Sequence, residues 1–311
     1  INNVNPTASV PGTASVNEHT AFTFSATSPF DPSTADTTAG FRYSFDLNGN
    51  GLYDDGFGNG TVMALAQTAD DNIIAGGSFT SFNGSPVNRV VRFSSGGRNA
   101  SDFNAAAATG TGLNGTVNTV LALRDGKVLI GGSFSTYNGQ SVSPLLRLGT
   151  DGNVDSSFST GSGFVRSGTA SPSVNTLLML PNGGILVGGL FEQYDAVRQG
   201  SLARIFENGA LDPTFNIGVG FQNQYSDTVA ITALALQSDG KILAAGSGAQ
   251  LFSNQRVGGV VRLTTNGAYD STFGIPVLVS PNSLSGATSA INSLTLLPDG
   301  SLLMGSTQQD Y

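Results

Sequence analysis

The chain reads as an all-β protein built from about five copies of one unit. Three observations carry this: a composition rich in glycine and turn residues, an apolar run ending in glycine that recurs at nearly one period, and tight-turn signals between alternating strands. Of 311 residues, 42 are glycine and only 11% are charged, which leaves few of the Glu, Lys and Arg positions that cover exposed helices. The run is Ile73-Ile74-Ala75-Gly76-Gly77-Ser78-Phe79, then Val128-Leu129-Ile130-Gly131-Gly132-Ser133-Phe134, then Ile185-Leu186-Val187-Gly188-Gly189-Leu190-Phe191. Degenerate copies follow at Ile242-Leu243-Ala244-Ala245-Gly246 and Leu302-Leu303-Met304-Gly305. Counted on the last glycine of each run, the steps are 55, 57, 57 and 59 residues. A fixed period of this size marks a repeat architecture.

Each copy opens with a strand of period-2 alternation, as in Val117-Asn118-Thr119-Val120-Leu121-Ala122-Leu123 or Ile231-Thr232-Ala233-Leu234-Ala235-Leu236. A tight turn follows at Asp125-Gly126, Asn182-Gly183, Asp239-Gly240 and Asp299-Gly300, with Asp71-Asn72 in the first copy. Such pairs supply the positive φ angles of a two-residue hairpin, so the glycine-ended run is the second strand. The third strand carries an arginine: Val90-Val91-Arg92-Phe93, Leu145-Leu146-Arg147-Leu148, Leu202-Ala203-Arg204-Ile205 and Val260-Val261-Arg262-Leu263. Another turn (Gly96-Gly97, Asp151-Gly152, Asn208-Gly209, Asn266-Gly267) leads to Phe103, Phe158, Phe215 or Phe273, always 11 residues after the arginine. Asp155, Asp212 and Asp270 stand three residues before the last three phenylalanines; the first copy has Ala100 there and Asp102 beside its phenylalanine.

Four short strands per unit of about 57 residues, with no helical stretch between them, are the blade of a β-propeller. A solenoid is the rival, but its repeats are shorter, roughly 20–45 residues. The expected architecture is therefore a propeller of four-stranded blades over 59–311, with copies at about 61–115, 116–172, 173–229, 230–289 and an incomplete 290–311. In it the recurrent Arg and Asp form a buried or half-buried pair tying the third strand to the next turn, and the Phe fills the gap between blades. A catalytic group is needed once, whereas these recur.

The stretches 123–134 and 145–158, with turn, glycine pair, arginine and Asp-x-x-Phe in order, resemble the bacterial propeller repeat of about sixty residues called the delta-sixty repeat. The resemblance covers roughly residues 61–311. It implies a propeller fold and a surface-associated location, and carries over no catalytic residue. Residues 1–58 do not fit the repeat. Strands expected at Asn5–Val10, Ala21–Thr27 and Phe41–Asp46 resemble bacterial Ig-like modules of the polycystic-kidney-disease type, with the closing strands missing before Val62. A second reading rests on Asn50-Gly51, Tyr53-Asp54 and Phe57-Gly58, which match Asn266-Gly267, Tyr269-Asp270 and Phe273-Gly274. On it, Phe41–Phe57 completes the fifth blade, which stops at Tyr311 after two strands.

Composition also narrows the chemistry. The absence of cysteine excludes a disulfide scaffold and thiolate metal sites. His19 is the single histidine, in the polar stretch Asn17-Glu18-His19-Thr20, and tryptophan is absent. A net charge of −8 argues against a nucleic-acid partner. No apolar run reaches about 18 residues, so no membrane insertion is expected, and Ile1-Asn2-Asn3-Val4 has no signal-peptide character. With only two lysines, and Ser, Thr, Asn and Gly at the polar positions, the chain is expected to be exported, as a mature protein or a segment of a longer one.

The one loop with a chemical signature is Asp46-Leu47-Asn48-Gly49-Asn50-Gly51-Leu52-Tyr53-Asp54-Asp55. Oxygen side chains at Asp46, Asn48 and Asn50, the glycine at its sixth position, the Leu52 carbonyl and Asp54 follow the first part of a calcium loop. Phe57 stands where a bidentate Glu would complete it, so Asp54 or Asp55 has to substitute; a plain turn is the alternative. Ca²⁺ is thus the cofactor expected, and no catalytic residue is assigned. Asp70 and Asp71 read as turn residues. Glu192, Asp195 and Glu207 fall in the third copy alone, the pattern of a unique site. Asn83-Gly84-Ser85 and Asn114-Gly115-Thr116 match a glycan acceptor pattern.

Two functions follow. One is a non-enzymatic exported surface protein, structural or adhesive, whose partners are other protein subunits or surface glycans in homo- or hetero-assembly. The other is a carbohydrate-binding or carbohydrate-active propeller using Tyr137, Tyr194 and Tyr225 on its loops.

Overall fold

A computed structural model of the chain describes residues 7–9, 27–30, 59–82, 85–87, 89–94, 103, 112–168, 171–223, 225, 227–246, 251–252, 255–257, 259–274 and 290–307. The β-propeller repeat is present. Four consecutive blades each have an inner, a middle and an outer strand in antiparallel order. These are Val62–Gln67, Ile73–Gly77 and Val90–Phe93; Val117–Ala122, Val128–Gly132 and Leu145–Leu148; Ser173–Met179, Ile185–Leu190 and Leu202–Ile205; Ile231–Leu236, Ile242–Gly246 and Val260–Leu263. A fifth inner and middle pair is Ala290–Leu296 with Leu302–Thr307. The fourth strand of a blade is reduced to a single bridge, Leu148 to Val154, Ile205 to Leu211 and Leu263 to Tyr269. Ahead of the repeats, Thr7–Ser9 pairs antiparallel with Thr27–Phe30. Of the strand expected at Ala21–Thr27, only Thr27 lies within the described residues.

The inner-to-middle turn differs from the two-residue hairpin expected. Gly126 N–H donates to the Leu123 carbonyl at 3.1 Å and Leu123 N–H to that of Lys127 at 2.9 Å. Only the glycine has positive φ, +80° at Gly126, so the loop holds three residues and ends in a glycine bulge. Asp71 takes the glycine's place in the first blade, at φ +61°.

The apolar core lies between blades. Alternate residues of a middle strand face opposite neighbours: Val128 and Ile130 pack with Ile74 and Val90 of the first blade, whereas Leu129 packs with Ile185 and Val187 of the third. Both faces of the middle strand are covered, which is why it reads as a continuous apolar run rather than an alternation.

Every inner strand carries a bulge near its start, after Val62, Val117, Val174, Ile231 and Ile291. Asn118 at this bulge donates to the Val174 carbonyl of the next blade at 3.2 Å, and Asn175 donates to the Ile231 carbonyl at 3.1 Å. Thr232 donates likewise to Ile291. The glycine pair serves the same joint. A Cβ at Gly131 would stand 2.5 Å from the Val174 side chain of the next blade, and one at Gly188 2.7 Å from Ile231. Pairing also moves the fifth copy by one residue: Ile291 lies opposite Ser306, the counterpart of Gly77, while Gly305 is the counterpart of Gly76.

Candidate functional site

Antiparallel order places the inner-to-middle turns and the turns after the outer strands at one end of each blade. At this end sits the arginine cluster. Arg147 Nε donates to Asp155 Oδ2 at 2.9 Å, its Nη2 to Ser157 at 2.8 Å and its Nη1 to the Glu207 carbonyl of the next blade. Arg204 repeats the set on Asp212 at 2.7 Å, Thr214 at 2.8 Å and the Thr265 carbonyl at 2.6 Å. Arg262 holds Asp270 at 2.9 Å and Thr272 at 3.0 Å. In the first blade Arg92 reaches the Thr150 carbonyl at 2.6 Å. Each guanidinium lies over the phenylalanine 11 residues on, 4.8–5.2 Å from the ring centre, a cation–π contact in a half-dry setting.

Both lysines join this cluster: Lys127 lies 2.9 Å from Asp155 and Lys241 3.1 Å from Asp270. The Lys127 ammonium, with Ser157, holds the Asp155 carboxyl well below the usual carboxylate range. Thr272 and Lys241 do the same for Asp270. At Asp212 burial opposes ionisation, but bonds from Thr214 and Arg204 outweigh it and the pKa is lowered. The Arg–Asp tie expected from the sequence is thus formed in three blades. The stacking and the reach to the next blade's carbonyl were not read there, because both depend on packing between blades.

The opposite end carries a second layer of two-residue hairpins: Ser81–Phe82 with Ser85–Pro86, Thr136–Tyr137 with Gln140–Ser141, Gln193–Tyr194 with Val197–Arg198, and Leu251–Phe252 with Gln255–Arg256. Phe164–Val165 and Phe221–Gln222 add a third strand to the last two. Asn59 and Asn114 clamp the first two hairpins, each accepting two backbone N–H bonds, Asn59 from Thr80 and Ser81, Asn114 from Ser135 and Thr136. Asn59-Gly60-Thr61 and Asn114-Gly115-Thr116 were a legible repeat of this clamp, and the glycan pattern at Asn114 coincides with it. Asn83 and Gly84 lie outside the described residues.

The tyrosines separate. Tyr137 and Tyr194 are buried and donate to the Gly152 and Gly209 carbonyls; burial pushes both hydroxyls up in pKa. They are packing residues, which corrects their placing on ligand loops. Tyr225 is 76% exposed. The third-blade carboxylates also part company. Glu192 accepts from Ser167 at 2.6 Å and Asp195 from the Ser162 N–H at 2.9 Å, both at the hairpin end. Glu207 follows the outer strand at the turn end, so the three do not form one site. A depression of about 280 Å³ lies there, lined by Arg124, Met179, Leu180, Asn182, Gly183 and Glu207. Asp70 accepts from Thr68 and Asn72, both at 2.6 Å, as a turn residue. Among the described residues no three His, Cys, Asp or Glu side chains gather as a metal site. His19 and the calcium-loop residues Asp46, Asn48, Asn50, Leu52, Asp54 and Asp55 lie outside the described residues.

The match to a family model agrees with this architecture. Residues 68–98, 123–158, 180–215 and 237–273 match the family model described as "Domain of unknown function (DUF5122) beta-propeller". The last three segments end on the cluster phenylalanines Phe158, Phe215 and Phe273. No curated protein matches the chain. Among solved structures, the extracellular domain of a candidate one-component system from B. thetaiotaomicron is 14% identical with a TM-score of 0.45, over 79% of this chain and 26% of that one. PorZ of Porphyromonas gingivalis, described as a surface component of a secretion system, is 11% identical with a TM-score of 0.36, over 79% and 31%. A gluconolactonase of Xanthomonas campestris is 12% identical with a TM-score of 0.35, over 77% and 67%. The chain spans about a quarter of the length of the first of these. Among the described residues no helix is long and apolar enough to cross a membrane.

Proposed function

We propose that this β-propeller repeat chain is a non-enzymatic exported surface protein, structural or adhesive, in which the blade array is a rigid scaffold for other protein subunits or surface glycans. One observation supports this most: the recurrent charged groups are engaged internally. Arg147, Arg204 and Arg262, their Asp partners and both lysines tie a strand to the following turn, and two of these arginines also tie one blade to the next. The hairpin end is the contact face of this reading. It presents Val165 at 43% exposure and Val197 at 49%, on a sheet that also carries the Glu192 and Asp195 carboxylates nearby. A calcium ion in the Asp46–Asp55 loop would stiffen the join between the N-terminal segment and the blades. Light scattering after size exclusion, in millimolar calcium and then chelator, tests the reading. Assembly or compaction that requires calcium supports it, and a monomer of unchanged size in both counts against it.

Tyr225 favours a second reading, carbohydrate binding, because an exposed aromatic ring is a platform for a sugar face. Binding to a glycan panel that is lost in Tyr225→Ala, with an unchanged melting temperature, would carry it. Binding indifferent to that substitution removes it.

A further inference from the structure

In a repeat, a residue that serves the fold recurs from blade to blade, so one found at its position only once points to something other than the fold. Two such residues face one depression at the turn end. Arg124 occupies the turn position held by Ala69, Pro181, Ser238 and Pro298 in the other copies, and Glu207 the position held by Thr150 and Thr265. The depression of about 280 Å³ lies between the second-blade turn that carries Arg124 and the third-blade turns that carry Asn182 and Glu207. Glu207 is placed there by two contacts. Its carbonyl accepts from Arg147, and its Oε1 stands 3.4 Å from where a Cβ would project at Gly183; side-chain methyls of Thr150 and Thr265 take that place at Gly126 and Gly240. Phe206, beside Glu207 in the chain, is 48% exposed where the other blades have Gly149 and Thr264. Arg124 and Glu207 are exposed, and neither side chain makes an ion pair or a hydrogen bond among the described residues. One cation and one anion thus open onto the same depression unspent, unlike the recurrent Arg147 and Arg204.

We propose that this depression binds an acidic sugar, a pyranose ring bearing a carboxylate. Arg124 takes the carboxylate, which a guanidinium holds through paired N–H donors. Glu207 accepts from the ring hydroxyls. Asn182 Oδ1 accepts from the Gly184 N–H at 3.1 Å, which leaves the side-chain N–H groups of Asn182 to donate to the same hydroxyls. This pairing selects a hydroxyl over an ammonium at the Glu207 end, because a hydroxyl both donates and accepts whereas an ammonium only donates. Met179, Leu180 and Pro181 supply an apolar lining for the C–H face of the ring. The depression is just under the roughly 300–1,000 Å³ of pockets that take drug-sized ligands, so it holds one ring and leaves the rest of a glycan outside. A chain of net charge −8 repels anions at long range, so capture of one needs a local cation of this kind. The inference names a ligand class for the surface-glycan part of the reading above and rests on it. It fails separately, because calcium-dependent assembly and binding through Tyr225 do not involve this depression.

Isothermal titration of the intact chain with glucuronate, glucose, propionate and alanine tests each feature of the ligand in turn. Glucuronate should bind with a dissociation constant on the order of 1 mM, the affinity of a single small ring. Glucose lacks the carboxylate and propionate the hydroxyls, so each should bind at least about tenfold more weakly. An oligosaccharide ending in glucuronate should bind at least as tightly as the free sugar. Arg124→Ala and Glu207→Ala should each weaken glucuronate roughly 10–100-fold. Both residues are exposed, and Glu207→Ala keeps the carbonyl that caps Arg147, so both variants should melt with the wild type. Arg198→Ala removes an exposed arginine at the opposite end and should change nothing. Absence of glucuronate binding at about ten times the expected constant overturns the proposal. So does binding unchanged in Arg124→Ala, an equal loss in Arg198→Ala, or exclusion of the oligosaccharide. Alanine binding as tightly as glucuronate also overturns it, since the site would then take a zwitterion. Glycan binding that survives Arg124→Ala but not Tyr225→Ala overturns this site and leaves the reading above in place.

Discussion

At the residue scale the arginine of the outer strand does three things: it pairs with an aspartate, stacks on a phenylalanine and caps a carbonyl of the following blade. Arg204 and Asp212 are each 11% exposed, so removing one charge strands the other. Arg204→Leu should destabilise the chain by about 3 kcal/mol, and Arg262→Leu by roughly 1–2 kcal/mol, since Arg262 is more exposed and caps no next-blade carbonyl among the described residues. Denaturant unfolding of both variants checks this order. The aspartates set a pH dependence. Asp155, Asp212 and Asp270 have folded pKa values lowered from 3.8, so their contribution is full above that value and is lost as pH falls through the lower folded values. The melting temperature should drop steeply below about pH 4, and Asp212→Asn should show a shallower drop from a lower starting point. An equal drop in the variant would remove Asp212 from the titration. The pairing partner was legible in the sequence because Arg204 and Asp212 sit 8 residues apart across one turn. The carbonyl of Thr265 was not, being 61 residues away and supplied by a different blade. Tyr137 and Tyr194 misled for a related reason: they belong to loops by position but to the core by packing.

At the scale of the element, the glycine pair is explained by close approach rather than by backbone freedom. Gly188 has no positive φ; its place is taken by Ile231 of the neighbouring blade. Gly188→Val should destabilise by about 1–3 kcal/mol through overpacking, whereas Gly305→Val, whose Cβ would meet the movable Ser293 hydroxyl and no side chain of another blade among the described residues, should cost less. Equal losses at the two sites would contradict the close-approach account of the glycine pair. The five repeats and most strand positions were readable from periodicity and turns. The three-residue turn at Asp125-Gly126 and the one-residue fourth strand at Val154 were not, because local propensity does not distinguish them from a two-residue hairpin and a full strand. The one-residue shift of the fifth copy escaped for a simpler reason: with one glycine left at 305, only pairing decides which member of the pair survives.

At the scale of the molecule, the core of the described blades lies between units, so each blade is stabilised by its neighbours. Among the described residues the first inner strand has a neighbouring blade on one side, and its Val62 and Leu65 are exposed. Local stability should follow that exposure, because opening free energy tracks buried apolar contact. Hydrogen exchange followed by mass spectrometry, at a concentration low enough to keep the chain monomeric, reads it strand by strand. The repeated-joint account predicts slow exchange in Val117–Ala122, Ser173–Met179 and Ile231–Leu236 and markedly faster exchange in Val62–Gln67. Protection of Val62–Gln67 equal to that of the other three inner strands would contradict it.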